Sequence, residues 1–375
     1  MLRKPAALLT AAIALVLSGS VSAQVGSTVD MNSLTVEELV FTLTGPENGL
    51  QVWNETYTGH ATAAGRFAGG ASVFGPLMDE GIILSSGDIH GDCGPANSST
   101  GYGPDHGLPG DSALDLLVAP FTTNDASVLE FDFSCEDLQE ISFLFVFSSE
   151  EYNEYVFSLY NDVFAFYVDG VNVALVPVAG TVPVTIDNVN LWTNPSYYLN
   201  NVAADGPPFA NLPIQMDGMT VVLAAYTPLA GAPGDPHHMK FAIADTSDHV
   251  LDSAVFIAAN TFNCGDPLVV DLGYFDGRMR PNGDVMLIWG TLSEIDTLGF
   301  NIYREPWSTR PLEVPSPGAV LINTRGMIPA RGSLFEPMDY RWLDATSQMG
   351  SVYHYWLEDI DTNGRSTLHG PIGIR

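Results

Sequence analysis

Basic side chains are scarce in this 375-residue chain: 13 Lys and Arg stand against 44 Asp and Glu, for a formal net charge of −31. The deficit is uneven. Residues 24–266 carry 31 acidic side chains and two basic ones, Arg66 and Lys240, whereas residues 267–375 carry 13 acidic and nine basic. A surface of that sign repels phosphate, which argues against nucleic acid or an anionic membrane as a partner and makes divalent cations natural ones. The alternative is a carboxylate coat that serves only solubility.

Long apolar runs are also missing. The one near the start, from Ala6 to Leu17, stops at Ser18-Gly19-Ser20, short of the roughly 20 residues a membrane-spanning helix needs. With Arg3 and Lys4 before it and Val21-Ser22-Ala23 after it, it reads as a secretory signal peptide over 1–23, with a mature start near Gln24. No later segment is long and apolar enough to span, and no cysteine follows the run to carry a lipid. Cysteine is rare too: Cys93, Cys135 and Cys264 allow one disulfide and one leftover thiol in an oxidising compartment, with all three pairings open. Their spacing matches no zinc pattern. The chain has no G-x-S-x-G, no H-E-x-x-H and no Walker loop. The adjacent His237-His238 would point to opposite faces of a strand and so make poor joint ligands.

Helical periodicity is confined to Leu34–Val40, with Ser33 or Thr35 as its cap. What is present is strand. Gly81–Ser85, Ser127–Phe133, Ile141–Phe147, Val163–Val168, Val171–Val176, Met219–Ala225, His238–Ala244 and Ser253–Phe262 are short runs rich in Val, Ile, Phe and Leu, separated by turn residues such as Asp169-Gly170, Asp217-Gly218 and Gly231-Ala232-Pro233-Gly234. The expected fold is all-β, built as two antiparallel β-sandwich domains. The first, jelly-roll-like, covers 24–266. The second, immunoglobulin- or fibronectin III-like, covers 267–375, with Trp289 on an early strand and Tyr353-His354-Tyr355 on a late one. The change of charge at Cys264-Gly265-Asp266-Pro267 marks the linker.

Ordered motifs carry a family resemblance. They are Leu34-Thr35-Val36-Glu37-Glu38-Leu39, Gly81-Ile82-Ile83-Leu84-Ser85-Ser86-Gly87, Leu129-Glu130-Phe131-Asp132-Phe133, Phe147 through Tyr155, and Tyr160 through Phe166. Asp187-Asn188-Val189-Asn190, Asp217 through Thr220, Ala244 through Asp248 and Asp252 through Phe256 continue the series. Over about 34–262 the chain resembles the bacterial choice-of-anchor L domain family, which implies an exported, cell-surface-associated protein and no established activity. Residues 268–375 resemble a fibronectin type III-like module through Trp289–Asn301 and Tyr353–Asp361. The chain closes at Gly373-Ile374-Arg375 with no apolar tail, so permanent attachment to the cell is not expected.

Two carboxylate clusters are candidate chemistry. In the first, Glu150, Glu151, Asn161 and Asp162 offer the hard oxygens that calcium takes six to eight of, from flexible loops. In the second, Asp245, Asp248 and Asp252 sit on a turn that could add backbone carbonyls. Asp187 and Asn190 are weaker candidates. Each cluster also has a structural reading, as strand-end caps or turn-forming Asp. Glu151 or Glu154 with a second carboxylate could instead serve a polysaccharide hydrolase, and Tyr152, Tyr155, Trp192, Tyr197 and Tyr198 could stack on sugars. The run Asp359-x-Asp361-x-Asn363-Gly364 starts like an EF-hand loop, but its twelfth position is Gly370 and its flanks read as strands, so a hairpin turn is expected. The resulting expectation is a non-catalytic surface or extracellular adhesion protein, calcium-stabilised, with an extracellular protein or glycan as ligand.

Overall fold

The computed structural model describes residues 25–45, 49–94, 97, 101–136, 140–177, 181–205, 210–264, 270–294, 297–307, 319–331, 338–361 and 366–375. The expected signal peptide, most of the linker and the Asn363-Gly364 turn lie outside these residues.

Up to residue 264 the chain forms fourteen strands among the described residues: β1 (Ser27–Asp30), β2 (Leu50–Thr58), β3 (Ala64–Ala68), β4 (Glu80–Ser85), β5 (Thr123–Cys135), β6 (Glu140–Ser149), β7 (Val163–Val168), β8 (Val171–Asn172), β9 (Tyr198–Asn200), β10 (Gly218–Thr220), β11 (Leu223–Pro228), β12 (His237–Thr246), β13 (Ser253–Ala258) and β14 (Asn263–Cys264). They make two antiparallel sheets. One runs β1-β3-β4-β13-β6-β10-β9, with β11 and β14 also on β6; the other runs β2-β5-β12-β7-β8.

Between the sheets lies a phenylalanine-rich core in which Phe143, Phe145 and Phe147 of β6 meet Phe131 of β5, Phe164 and Phe166 of β7, and Phe241 of β12. Each sheet is also covered on its outer face. Val73, Phe74 and Met78 pack on Ile83, Val146 and Phe256, and the helix Ser112–Val118 lays Leu114 and Val118 over Val128, Ala165 and Ala242. Burial on both faces explains why Phe143–Phe147 is apolar throughout instead of alternating.

The helix α1 (Val36–Thr44) is closed by Thr35, whose Oγ1 accepts the Glu38 N–H while Glu38 Oε2 accepts the Thr35 N–H at 2.9 Å, a reciprocal pair that selects Thr35 over Ser33. Three of the expected strands are shortened or divided, for identifiable reasons. The run Val171–Val176 stops at Asn172, whose Oδ1 accepts from the N–H groups of Phe166 and Ala174 and takes the place of a ladder bond. Met219–Ala225 splits into β10 and β11 because Thr220 Oγ1 accepts the Phe147 N–H at 3.1 Å. Ser253–Phe262 ends at Ala258, before Asn260 turns the chain at φ 57°. Cys135 at the end of β5 is bonded to Cys264 of β14, and Cys93 is left as a buried thiol.

From residue 270 a further antiparallel sandwich appears. The strands β15 (Val270–Met279), β16 (Val285–Glu294) and β20 (Met338–Asp344) form one sheet; β17 (Thr297–Pro306), β18 (Val320–Leu321), β19 (Ile328–Pro329), β21 (Tyr353–Asp361) and β22 (Ser366–Ile374) form the other. Trp289 is fully buried between them, stacked on Tyr340 with ring centroids 5.1 Å apart and edge-on to Phe300. Asp359 and Asp361 belong to β21, paired with β22, so the Asp-rich run is flanked by strands.

Candidate metal centre

Antiparallel order brings the ends of β4, β6 and β12 and the starts of β5, β7 and β13 to one end of the acidic sandwich, and carboxyl groups collect there. The two clusters seen in the sequence both lie at this end, but they are divided differently. Asp162, just before β7, is fully engaged: Oδ1 accepts the Thr246 N–H at 2.9 Å and Oδ2 accepts the Ser253 hydroxyl at 2.8 Å, so it ties β12 to β13. Glu151 is 1% exposed, and its Oε2 accepts the Asp162 N–H at 3.3 Å.

Asp245 lies within β12 rather than on the turn, 1% exposed, and its Oδ1 meets no donor; neither does the buried Oδ1 of Asn161. Asp248 is half-buried and accepts the Val250 N–H. Burial lifts the Glu151 carboxyl to about 9, with Asp245, Asp248 and Asp187 adding repulsion. Asp245 is pushed up by burial and by Asp162.

Glu150 is repelled by Asp217 and Asp92, and Asp252 first by Asp92 and then by Asp245 and Asp162; Asp92 and Asp217 are carboxyls the sequence reading did not single out as ligands. Burial, then Asp217 and Asp92, raises Glu150 to about 9. Burial raises Asp217 to about 7, although the Asn97 amide donates to its Oδ1. Asp92 has only the capping Asp88 beside it in its glycine-containing turn, and the topology reveals its other neighbours. A third grouping was missed because its members are far apart in sequence. Asp105, Asp125 and His249 bring one ligand atom each within 4.8 Å of one another, but the buried Asp125 carboxylate already accepts the N–H groups of His106 and Leu108 and bonds His249 Nδ1.

The weaker candidates have structural duties. Asp187 accepts the Phe157 N–H, and Asn190 Oδ1 caps Trp192 and Thr193. His237 and His238 bond different partners, Asp169 and the Asp132–Glu130 pair. Glu154 is exposed. Of the rings singled out as sugar platforms, Tyr152 is wholly buried with its hydroxyl on the Val189 carbonyl, and Tyr198 is buried beside it. Trp192 is 64% exposed, its ring 6.3 Å from that of Phe157.

The model of the choice-of-anchor L domain matches residues 28–263, the span of the acidic sandwich. The chain belongs to that family. Choice-of-anchor L membership points to a cell-surface or extracellular protein, and among the described residues no helix is long and apolar enough to cross a membrane. No curated protein matches the chain. Solved structures similar to it include a putative β-galactosidase from Bacteroides fragilis, 8% identical over 65% of this chain and 32% of that one, with a TM-score of 0.17. The Endo-D glycoside hydrolase domain of Streptococcus pneumoniae R6 is 9% identical over 84% and 36%, TM-score 0.18. The chicken CNTN1 FN1-FN3 domains are 10% identical over 88% and 99%, TM-score 0.19. The chain thus spans about a third of the length of the first two, and TM-scores this low carry no functional argument.

Proposed function

We propose that this chain is an exported, surface-associated binding or adhesion module without catalysis of its own, stiffened by calcium held among Glu151, Asn161, Asp245 and Asp248. The supporting observation is the pair of buried oxygens, Asp245 Oδ1 and Asn161 Oδ1, that meet no donor beside the raised Glu151 carboxyl. Buried acceptors ordinarily have partners, and carboxylate plus amide oxygens are the donors calcium prefers. A hydrolase working through Glu151 and Glu154 would need both groups on an open cleft, whereas Glu151 is buried and held by Asp162. The exposed Trp192 and Phe157 offer a contact surface for an extracellular glycan or protein.

A glycan and protein array probed with the full chain tests this reading. Binding is expected in calcium, with a loss of at least tenfold in chelator and in Trp192→Ala. Equal binding in chelator removes the calcium requirement, and equal binding by Trp192→Ala removes the surface.

Residues 267–375 are read as a fibronectin type III-like spacer, supported by the facing sheets and the buried Trp289–Tyr340 stack. Limited proteolysis is expected to cut first at about residues 264–268, giving two protected fragments. First cleavage elsewhere, or a resistant single unit, counts against two independent domains.

A further inference from the structure

Asp92, Glu150 and Asp252 lack what Asp162 has. They are 0%, 1% and 0% exposed, and none of their six carboxyl oxygens meets a hydrogen-bond donor. Strand register explains how they meet. On β13, Ser253 pairs with Ser149 of β6 and Ala254 with Ser85 of β4, so Asp252 enters between the two neighbouring strand ends. Its carbonyl accepts the Glu150 N–H at 3.0 Å on one side. On the other side the chain leaves β4 through Gly87 and makes the helical turn Ile89–Asp92.

Glycine admits the group. A Cβ on Gly87 would lie 1.5 Å from Asp252 Oδ2, and one on Gly91 would lie 1.7 Å from the Tyr102 hydroxyl. Tyr102 sits in the field of Asp92, Asp252 and Glu150, and its carbonyl accepts the Asp252 N–H at 3.2 Å. The Gln215 side chain and the Tyr102 backbone approach Glu150, Ser85 approaches Asp92, and the Asp88 backbone approaches Asp252. Among the described residues no Lys, Arg or His forms an ion pair with any of the three.

Three buried carboxyls need neutralising. Three protons would do so but still leave acceptor lone pairs without donors, whereas a hard divalent cation engages several oxygens at once. The absence of thiolate or imidazole from the set selects an oxygen-seeking ion over zinc. We infer that Asp92, Glu150 and Asp252 form a second calcium-type site that fastens the helical turn Ile89–Asp92 to the ends of β13 and β6. It shares no ligand with the site proposed at Glu151, Asn161, Asp245 and Asp248, although Asp252 feels the charge of Asp245.

Calcium titration calorimetry of the chelator-stripped full chain, paired with melting in chelator, tests the inference. Asp92→Asn and Asp252→Asn each remove one bound calcium, or weaken it at least tenfold, and each raises the melting temperature in chelator because one buried carboxyl that must either hold a proton or repel its neighbours has gone. A merely structural carboxyl would give the opposite sign in chelator. Asp248→Asn leaves this calcium in place, so loss of the other site does not mask it. The inference is overturned if both Asn variants keep the wild-type count and affinity, or if both melt lower in chelator. Removal of all bound calcium by Asp248→Asn alone also overturns it and leaves only the first site.

Discussion

At pH 8, calcium at about 100 times its Kd is expected to raise the melting temperature of the acidic sandwich in the full chain by roughly 5 to 11 °C for each occupied site over chelator at fixed ionic strength. The figure follows from about 2.7 kcal/mol of ligand stabilisation per site at that saturation and about 2 to 4 °C per kcal/mol for a domain of this size. The shift should shrink towards zero at pH 5. Glu150 and Glu151 are raised to about 9 by burial, above the value near 4.5 they take when unfolded. Without metal, the native chain therefore holds protons that the unfolded chain has released. The stability these protons contribute is complete below about pH 4.5 and is lost as pH rises through about 9. Calcium replaces the protons, so it acts most where they have left, and its binding should release protons into buffer. Scanning calorimetry at pH 5, 6.5 and 8 checks the trend. A calcium shift independent of pH, or one reproduced by sodium chloride, would show general screening instead of bound ions.

Reduction of Cys135–Cys264, or Cys135→Ala with Cys264→Ala, is expected to destabilise the acidic sandwich by about 5 kcal/mol. The bond spans 129 residues, and closing a loop of that length restricts the unfolded chain by about this amount in the entropic account, at the upper end of the range seen for native disulfides. Melting should fall by roughly 10 to 20 °C. Cys93 supplies the internal control. It is 4% exposed, and burial together with Asp92 pushes its thiol up, so it should stay unreactive to thiol reagents until the domain unfolds. A loss below about 1 kcal/mol would mean that the unfolded chain stays compact without the bond.

Strand content was legible because buried strands write themselves as apolar runs. Val163–Val168 needed no adjustment, and β5, β6 and β12 only lengthened. Short or polar elements were not legible. β2 alternates but is broken by Asn54 at φ 59°, with the register shifting between Trp53 and Thr56. The helix Ser112–Val118 carries only Leu114 and Val118 as buried contacts. The metal candidates show the same divide. Glu150-Glu151 and Asp245 through Asp252 stood out as local density. Asp92 and Asp217 did not, since their importance comes from the register of β4, β13 and β6 and from the β10 neighbour of β6. The sequence also left Asp162 looking like its neighbours; only the bonds to Thr246 and Ser253 separate a clip from an open ligand. The cysteine pairing likewise required the fold, because β5 and β14 belong to different sheets and lie 129 residues apart at the bonded cysteines.

The position of that cystine also decides how the sandwich would carry a pull. Tension applied between the chain's start and anything attached beyond residue 264 passes through Cys135 and the sulfur bridge to Cys264, bypassing the 128 residues between them. Roughly 420 to 460 Å of contour length is thereby locked away at about 3.3 to 3.6 Å per extended residue. Glu150, Glu151, Asp162, Asp217, Asp245 and Asp252 lie inside the shielded loop, while Asp92 lies on the loaded path. Under shear, an ion joining Asp92 to Glu150 and Asp252 would couple the loaded segment to the protected one, making the acidic end a mechanical fastener opposite the covalent one.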